Sequence, residues 1–221
     1  MTAKDMFSHR VSILTGHYGT GKTEVSVNLA LALAAEGEQV MLADLDIVNP
    51  YFRSRERRPL LEKAGVRVIS SSQACSDADV PALPAELLTI LENREIRGIL
   101  DIGGDPVGAR VLARFQPKIV QEDYQLIFVL NANRPEVRDA ESAAAYLRSI
   151  EAVTGLTCSG LVNNTHLCGE TTPAEIRKGA ALAQEVSRQT GIPILCHTAE
   201  RRFLESLSDL GEPVVPHCHQ Y

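Results

Sequence analysis

Eight consecutive residues, Gly16-His17-Tyr18-Gly19-Thr20-Gly21-Lys22-Thr23, satisfy the pattern G-x-x-x-x-G-K-[ST] at every fixed position. Glycines at those positions allow a tight loop whose backbone N–H groups all point inward, and a helix starting at its end adds a positive dipole, so the loop is a cradle for phosphate. Lys22 is then placed to reach β- and γ-phosphate oxygens, and the Thr23 hydroxyl to ligate magnesium. The pattern arises by chance in roughly one chain of this size per hundred, even before a strand is required in front of it and a helix behind it. Both are expected here, so binding of a nucleoside triphosphate with Mg2+ is the strongest expectation the sequence supports.

Carboxylates stand where they could serve the same ligand. Asp44 and Asp46 close the apolar run in LADLDIVNP, and Asp101 closes another in GILDIGGDP. In an open parallel sheet the carboxyl ends of strands border the ligand crevice. Asp101 and Asp44 are therefore candidate metal ligands with Thr23, and Asp46 is a candidate for positioning the attacking water. Gly103 and Gly104 would let N–H groups approach the γ-phosphate. Each of these carboxylates, and Asp105, could instead cap a helix or turn.

The elements that must position these residues follow from an alternation of short β-branched runs with longer Ala- and Leu-rich stretches. Strands are expected near 11–14, 40–44, 66–70, 98–101, 126–131, 160–163 and 194–196, most of them nearly all apolar, as strands covered on both faces must be. Helices are expected near 22–35, 82–93, 106–115, 136–153, 173–190 and 201–210. Pro135 reads as the start of the fourth helix, Thr172-Pro173 as the start of the fifth, and Gly191 as its end. The segment 49–63, with Arg53, Arg55, Arg57 and Arg58, is less regular, and part of it is expected to be exposed and mobile. The fold class is α/β, a mainly parallel sheet of about seven strands flanked by helices on both faces, in one domain spanning 1–221.

Composition narrows the partners. Twenty-two Lys and Arg stand against twenty-eight Asp and Glu, a net charge of −6, which opposes broad adhesion to nucleic acid or anionic lipid. The opening MTAKDMFSHRVSILTG has no apolar core of a signal peptide, and no apolar run approaches the ~20 residues that span a bilayer. A cytoplasmic protein is expected, with neither direct nucleic-acid nor membrane binding. Cys75, Cys158, Cys168, Cys196 and Cys218 form no CxxC pair and read as reduced thiols. His166, His197, His217 and His219 lie near some of these cysteines at the spacing of no standard metal site.

Taken in order, the phosphate loop, the DxD segment, DIGGDP, NANRPEVRDAES and LVNNTH resemble the MinD/ParA/Mrp group of P-loop ATPases, the CobQ/CobB/MinD/ParA type of nucleotide-binding domain. The resemblance implies a Mg2+-dependent ATPase that pairs face to face with ATP between subunits and acts on a partner protein, here unidentified. It places the water-orienting aspartate at Asp46 and an adenine-contacting asparagine at Asn163, with Asn164 the adjacent alternative. One departure concerns catalysis: the group's additional lysine after the first loop glycine is His17 here. An imidazole is shorter and carries less charge near pH 7 than an ammonium, so either hydrolysis is slow or Arg53 or Arg55 supplies the cation. The CxxC of the group's iron–sulfur carriers is missing, as is the basic terminal helix of its membrane-bound member. Asn163-Asn164-Thr165-His166 lacks the Asp of guanine-specific NKxD segments, so ATP is expected over GTP. An ATP-dependent ligase or kinase resembling dethiobiotin synthetases, or a nucleotide-binding scaffold with negligible turnover, are the alternatives.

Overall fold

The computed structural model describes residues 2–46, 54–70 and 83–217. In chain order the elements are α1 (Ala3–Met6), β1 (Val11–Thr15), α2 (Lys22–Ala35), β2 (Val40–Leu45), α3 (Ser54–Lys63), β3 (Arg67–Ser70), α4 (Leu83–Glu92) and β4 (Arg97–Ile102). Then come α5 (Pro106–Ala109), α6 (Gln116–Ile119), β5 (Tyr124–Leu130), α7 (Ala140–Thr154), β6 (Cys158–Asn163), α8 (Pro173–Thr190), β7 (Ile194–Ala199) and β8 (Val214–Pro216). One sheet of eight strands runs β3-β2-β4-β1-β5-β6-β7-β8, and every pairing in it is parallel.

Strand alternation divides the core into two layers. Along β5, Leu126, Phe128 and Leu130 join the apolar cluster formed with α4, α7 and α8, while Ile127 and Val129 join the cluster formed with α2 and α3. Period-2 side-chain geometry forces this split, and it explains why both faces of the strand are apolar. Helix α2 buries Val25, Leu29, Ala30 and Leu33, so the helix that carries Lys22 at its first position is firmly seated on the sheet.

The order of strands matters for the site. β1 lies at the centre, between β4 and β5, and the chain leaves its carboxyl end directly into the phosphate loop. Across β2 and β4, Asp44 pairs in register with Asp101, and Leu14 of β1 is in register with the same Asp101. Neighbouring strands are roughly 4.8 Å apart, so the register alone brings these carboxylates to one edge.

Five expectations change. The eighth strand, β8, forms where the sequence reads as a tail; it is short, lies at the sheet edge and tolerates Pro216 there because an edge residue has no ladder donor to lose. The expected helix 106–115 is broken into α5, a 3-10 stretch Arg110–Arg114 and α6, since Pro117 cannot donate and forces a fresh start. Pro135 opens only a 3-10 turn, Pro135–Val137, and α7 is started by Asp139, whose carboxylate accepts from the Ser142 N–H at 2.8 Å. The expected helix 201–210 is two 3-10 turns, Arg201–Phe203 and Glu205–Leu207. There the Ser206 and Ser208 hydroxyls donate to carbonyls three residues back and compete with helical continuation. The segment expected to be irregular contains α3. Arg53 lies outside the described residues, and for Arg55 only the backbone, within α3, is described.

Candidate nucleotide-binding site

The phosphate loop is prefolded around its own lysine. Thr20 is fully buried and both its N–H and its hydroxyl donate to the His17 carbonyl, at 3.2 and 2.9 Å. Lys22 is only 7% exposed and its Nζ donates to the same carbonyl at 3.3 Å. Burial lowers its pKa, and the charges of Asp101, Asp46 and Asp105 pull it back up. Two further loops brace the cradle: Arg134 Nε donates to the Gly19 carbonyl at 2.7 Å, and Asn164 Nδ2 to the Thr20 carbonyl at 2.8 Å.

Asp101 is the most perturbed carboxylate. It is 2% exposed, and its pKa is pushed up to about 7, first by burial and then by repulsion from Asp44, against the pull of Lys22 and a hydrogen bond with Thr23. Its Oδ1 is buried without a hydrogen-bond partner. An orphaned, destabilised carboxylate oxygen beside a threonine hydroxyl is what a divalent cation would satisfy. Among the described residues no group of three or more His, Cys, Asp or Glu is arranged to hold a metal ion. Mg2+ does not require one, because it is commonly held by one or two carboxylates, phosphate oxygens and water. Asp44 Oδ1 accepts from the Asp46 N–H at 3.2 Å, which turns the chain so that Asp46 lines the cleft. Asp105 caps α5, accepting from the Gly108 N–H at 2.7 Å.

The DIGGDP loop presses on the cradle. A Cβ at Gly104 would lie 2.7 Å from Lys22 Nζ and 2.9 Å from the Tyr18 nitrogen, so only glycine fits. The Gly104 carbonyl accepts from the Tyr146 hydroxyl on α7, whose pKa is raised to about 12 by burial and by Asp105 and Glu136, which keeps it a donor. The same Tyr146 ring meets His17 edge-on at 5.0 Å, and His17 Nδ1 lies 3.7 Å from Glu136 Oε2. His17 is therefore turned toward α7 and the turn before it.

A cleft of about 350 Å³ is lined by Lys22, Thr23 and Asp46 and, from other parts of the chain, by Asn164, His166, Thr198, Glu200 and His217. Asn163 stands behind this wall, fully buried, with its amide bonded to Ile176, His197 and Thr165. Asn164 is on the wall; its Oδ1 accepts from the Thr198 hydroxyl at 2.5 Å. Glu200 is gripped by Arg202 through Nε at 2.6 Å and a second nitrogen at 2.9 Å. His217 lies 3.9 Å from Glu24, and burial lowers its pKa against the pull of Glu24 and Glu200.

Sequence reasoning missed Arg134, Tyr146, Glu24, Glu200 and His217. Arg134 follows the end of a central strand, a position that could have been flagged. Tyr146 was visible only as the single aromatic in an Ala-rich helix. Of the cysteines, Cys158 and Cys196 are buried, with thiols pushed up to about 12 by burial, and Cys168 is exposed with its Sγ 3.9 Å from His166 Nδ1. Cys75, Cys218 and His219 lie outside the described residues. No helix among the described residues is long and apolar enough to cross a membrane.

Comparison with known proteins agrees with this geometry. The ParA family model, described as NUBPL iron-transfer P-loop NTPase, matches residues 6–55. The chain is similar to the septum site-determining protein MinD of Helicobacter pylori, 24% identical over 93% of this chain and 83% of that protein. It is 36% identical to the cytosolic Fe-S cluster assembly factor cfd1 of Emericella nidulans, over 43% of this chain but only 26% of that one. Among solved structures, the cell division protein FtsY of Thermotoga maritima shares the fold, with a TM-score of 0.53 at 20% identity, over 83% of this chain and 59% of that one. The chain thus spans about a quarter of the fungal relative and under two thirds of the structural one.

Proposed function

We propose, for a chain that is a P-loop NTPase of the MinD/ParA type, that the cleft binds ATP with Mg2+, hydrolyses its β–γ phosphoanhydride slowly, and thereby switches a homodimer that acts on a partner protein. The observation that carries this reading is the buried, orphaned Asp101 oxygen beside Lys22 and Thr23 at the mouth of a complete phosphate loop. Thr23 and Asp101 would hold the magnesium ion, with Asp44 adjacent, and the ion neutralises phosphate charge when bound. Lys22 binds the β- and γ-oxygens, and the N–H groups of residues 16–23 surround the phosphates. Asp46 accepts a hydrogen bond from water and orients it for in-line attack, which phosphoryl transfer needs more than covalent chemistry. His17 stands where the group keeps a second lysine, so less cationic stabilisation reaches the transition state and turnover is slow.

Adenine is the base we assign. Guanine would need a free carboxylate for its N1 and N2 donors, whereas Glu200 is already paired with Arg202, and Glu24 accepts from Asn28 at 2.9 Å. The fungal relative is named for Fe-S cluster assembly and the matched family for iron transfer, which favours iron or an iron–sulfur cluster as cargo. Burial keeps Cys158 and Cys196 protonated, so Cys168 is the described thiol open to such a role.

Sedimentation with and without a nonhydrolysable ATP analogue and Mg2+, with turnover measured in parallel and GTP as competitor, tests the reading. Nucleotide-dependent dimers, slow basal hydrolysis and preference for ATP are expected. A monomer under all conditions that turns ATP over only with a small-molecule acceptor would overturn the switch in favour of a ligase or kinase, and tighter GTP binding would overturn the base assignment.

A further inference from the structure

His197 is fully buried, and it sits opposite Asn163 in the β6–β7 pairing. Its Nδ1 is 3.1 Å from Asn163 Nδ2, and its Nε2 is 3.1 Å from Glu212 Oε2 in the loop before β8. The orientation of the Asn163 amide is fixed twice over. Nδ2 donates to the Ile176 carbonyl at 3.1 Å, while Oδ1 accepts from the Thr165 N–H at 3.1 Å and from its hydroxyl at 2.7 Å. A flipped amide would set oxygen against the Ile176 carbonyl and NH2 against the Thr165 N–H. Nδ1 of His197 must therefore accept, and Nε2 must carry the proton that it donates to Glu212.

The chain of bonds continues past Asn163. The Thr165 hydroxyl accepts from the Ala132 N–H at 3.0 Å, tying the loop after β6 to the loop after β5. Helix α8 comes so close here that a Cβ at Gly179 would lie 2.0 Å from Thr165 Oγ1 and 2.2 Å from Asn163 Oδ1. Only glycine at position 179 lets the helix pass this close. Asn164, Thr165 and His166, which follow directly, line the cleft on the side where Asn164 meets Thr20 and Gly21.

We infer that Glu212 and His197 are positioning residues: through the Asn163 amide they hold the loop after β6 in the shape that receives the base of the bound nucleotide. The inference rests on the nucleotide reading above and adds to it a device for base affinity anchored in the loop before β8. Beyond the partly exposed Glu212 the chain is buried, and there every member depends on the next, because an unpaired donor or acceptor at His197, Asn163 or Thr165 has no water to turn to. Removing the acceptor at Glu212 leaves the buried Nε2–H without a partner, since the Asn163 amide still holds Nδ1 as the acceptor. A shift of the imidazole toward a new partner then loosens its bond to Asn163 and the amide's hold on Thr165. The phosphate loop leans on this chain only through Asn164 at the Thr20 carbonyl and keeps holds of its own, from Lys22 and Thr20 to the His17 carbonyl and from Arg134 to the Gly19 carbonyl, so phosphate binding should suffer less than base binding.

The test uses the full chain and two probes, a nonhydrolysable ATP analogue and inorganic tripolyphosphate, each titrated with Mg2+. Glu212 is a partly exposed loop side chain, so its variants do not put folding at risk. Glu212→Leu is expected to weaken the ATP analogue at least fivefold and to change tripolyphosphate less than twofold. Glu212→Gln keeps an acceptor oxygen and is expected to bind both like the wild type. The imidazole 15N spectrum should show the Nε2–H tautomer for His197 with matching shifts in the wild type and in Glu212→Gln, and a shifted or exchange-broadened Nε2 resonance in Glu212→Leu. His197→Gln, which can accept and donate at similar positions, should bind the ATP analogue better than His197→Leu. Equal affinity of the wild type and Glu212→Leu for the ATP analogue, or equal losses for both probes, would overturn the inference. A wild type that binds neither probe would instead remove the nucleotide reading and this inference with it.

Discussion

Around the phosphate loop, one unbroken stretch from Gly16 to Thr23 does most of the positioning, whereas the part of the cleft that we assign to the base is lined by Asn164 after β6, Thr198 in β7, Glu200 after β7 and His217 after β8. The first end is formed within the loop by bonds from Thr20 and Lys22 to the His17 carbonyl, with Arg134 and Asn164 bracing it from outside. The second is held by contacts between residues distant in the chain, such as Asn163 with His197 and Glu212. A binding determinant encoded locally survives changes elsewhere in the fold; one assembled from three loops depends on every strand that presents them. The phosphate end should therefore respond steeply to substitution within the loop, and the base end to substitution at positions that never touch the ligand.

The largest expected effect lies at Lys22. Lys22→Ala removes the loop's buried cation, and affinity for the ATP analogue should fall about a hundredfold, which is ~2.7 kcal/mol. Tripolyphosphate should lose as much, because the contact is to phosphate. Calorimetry with both ligands checks this, and a loss confined to the base-bearing ligand would erase the contrast between the two ends.

How much of this was legible in the sequence follows the same division. The loop, Asp44, Asp46 and Asp101 were readable because a strand's carboxyl end is marked by the end of an apolar run, and the parallel register does the rest. The seven expected strands all form, since each is an apolar run that only a doubly covered strand can use. His217 and β8 were not readable: Val214-Val215-Pro216 is too short to signal a strand alone, and it becomes one only because His197–Ala199 offers an open edge. Tyr146 was hidden for a related reason. On a helix it counts as one more apolar position, and its bond to Gly104 depends on how α7 crosses the loop after β4.

Asp101 gives the next largest effect. Its pKa in the folded protein is raised from 3.8 to about 7, so the folded state binds more protons than the unfolded state between those values. Stability that Asp101 contributes in protonated form is fully present below about pH 4 and is lost as pH rises toward and through 7. Asp101→Asn removes the buried charge and should stabilise the ligand-free protein on the order of 2 kcal/mol at pH 8, with little change at pH 4. Urea unfolding at both pH values measures it. Mg2+ with nucleotide should stabilise the wild type and not the variant, and a variant equally affected by Mg2+ would place the metal elsewhere.

The smallest effect, and the one that sharpens the account of slow turnover, is at His17. Its ring lies edge-on to Tyr146 and within 3.7 Å of Glu136, on the side of the loop toward α7. A lysine there is long enough to reach past the loop and adds a permanent cation, which favours the charge that develops on the transferring phosphoryl group. Glu136 works against this gain, because its carboxylate would pair with the new ammonium and hold it beside α7. His17→Lys alone should therefore raise the single-turnover rate only about two- to fivefold, and His17→Lys with Glu136→Gln should raise it further. ATP affinity should change little in either, since ground-state phosphate binding already has Lys22. If both variants hydrolyse ATP at the wild-type rate, a cation missing at position 17 is not what limits turnover, and the slow step lies in the alignment of water by Asp46.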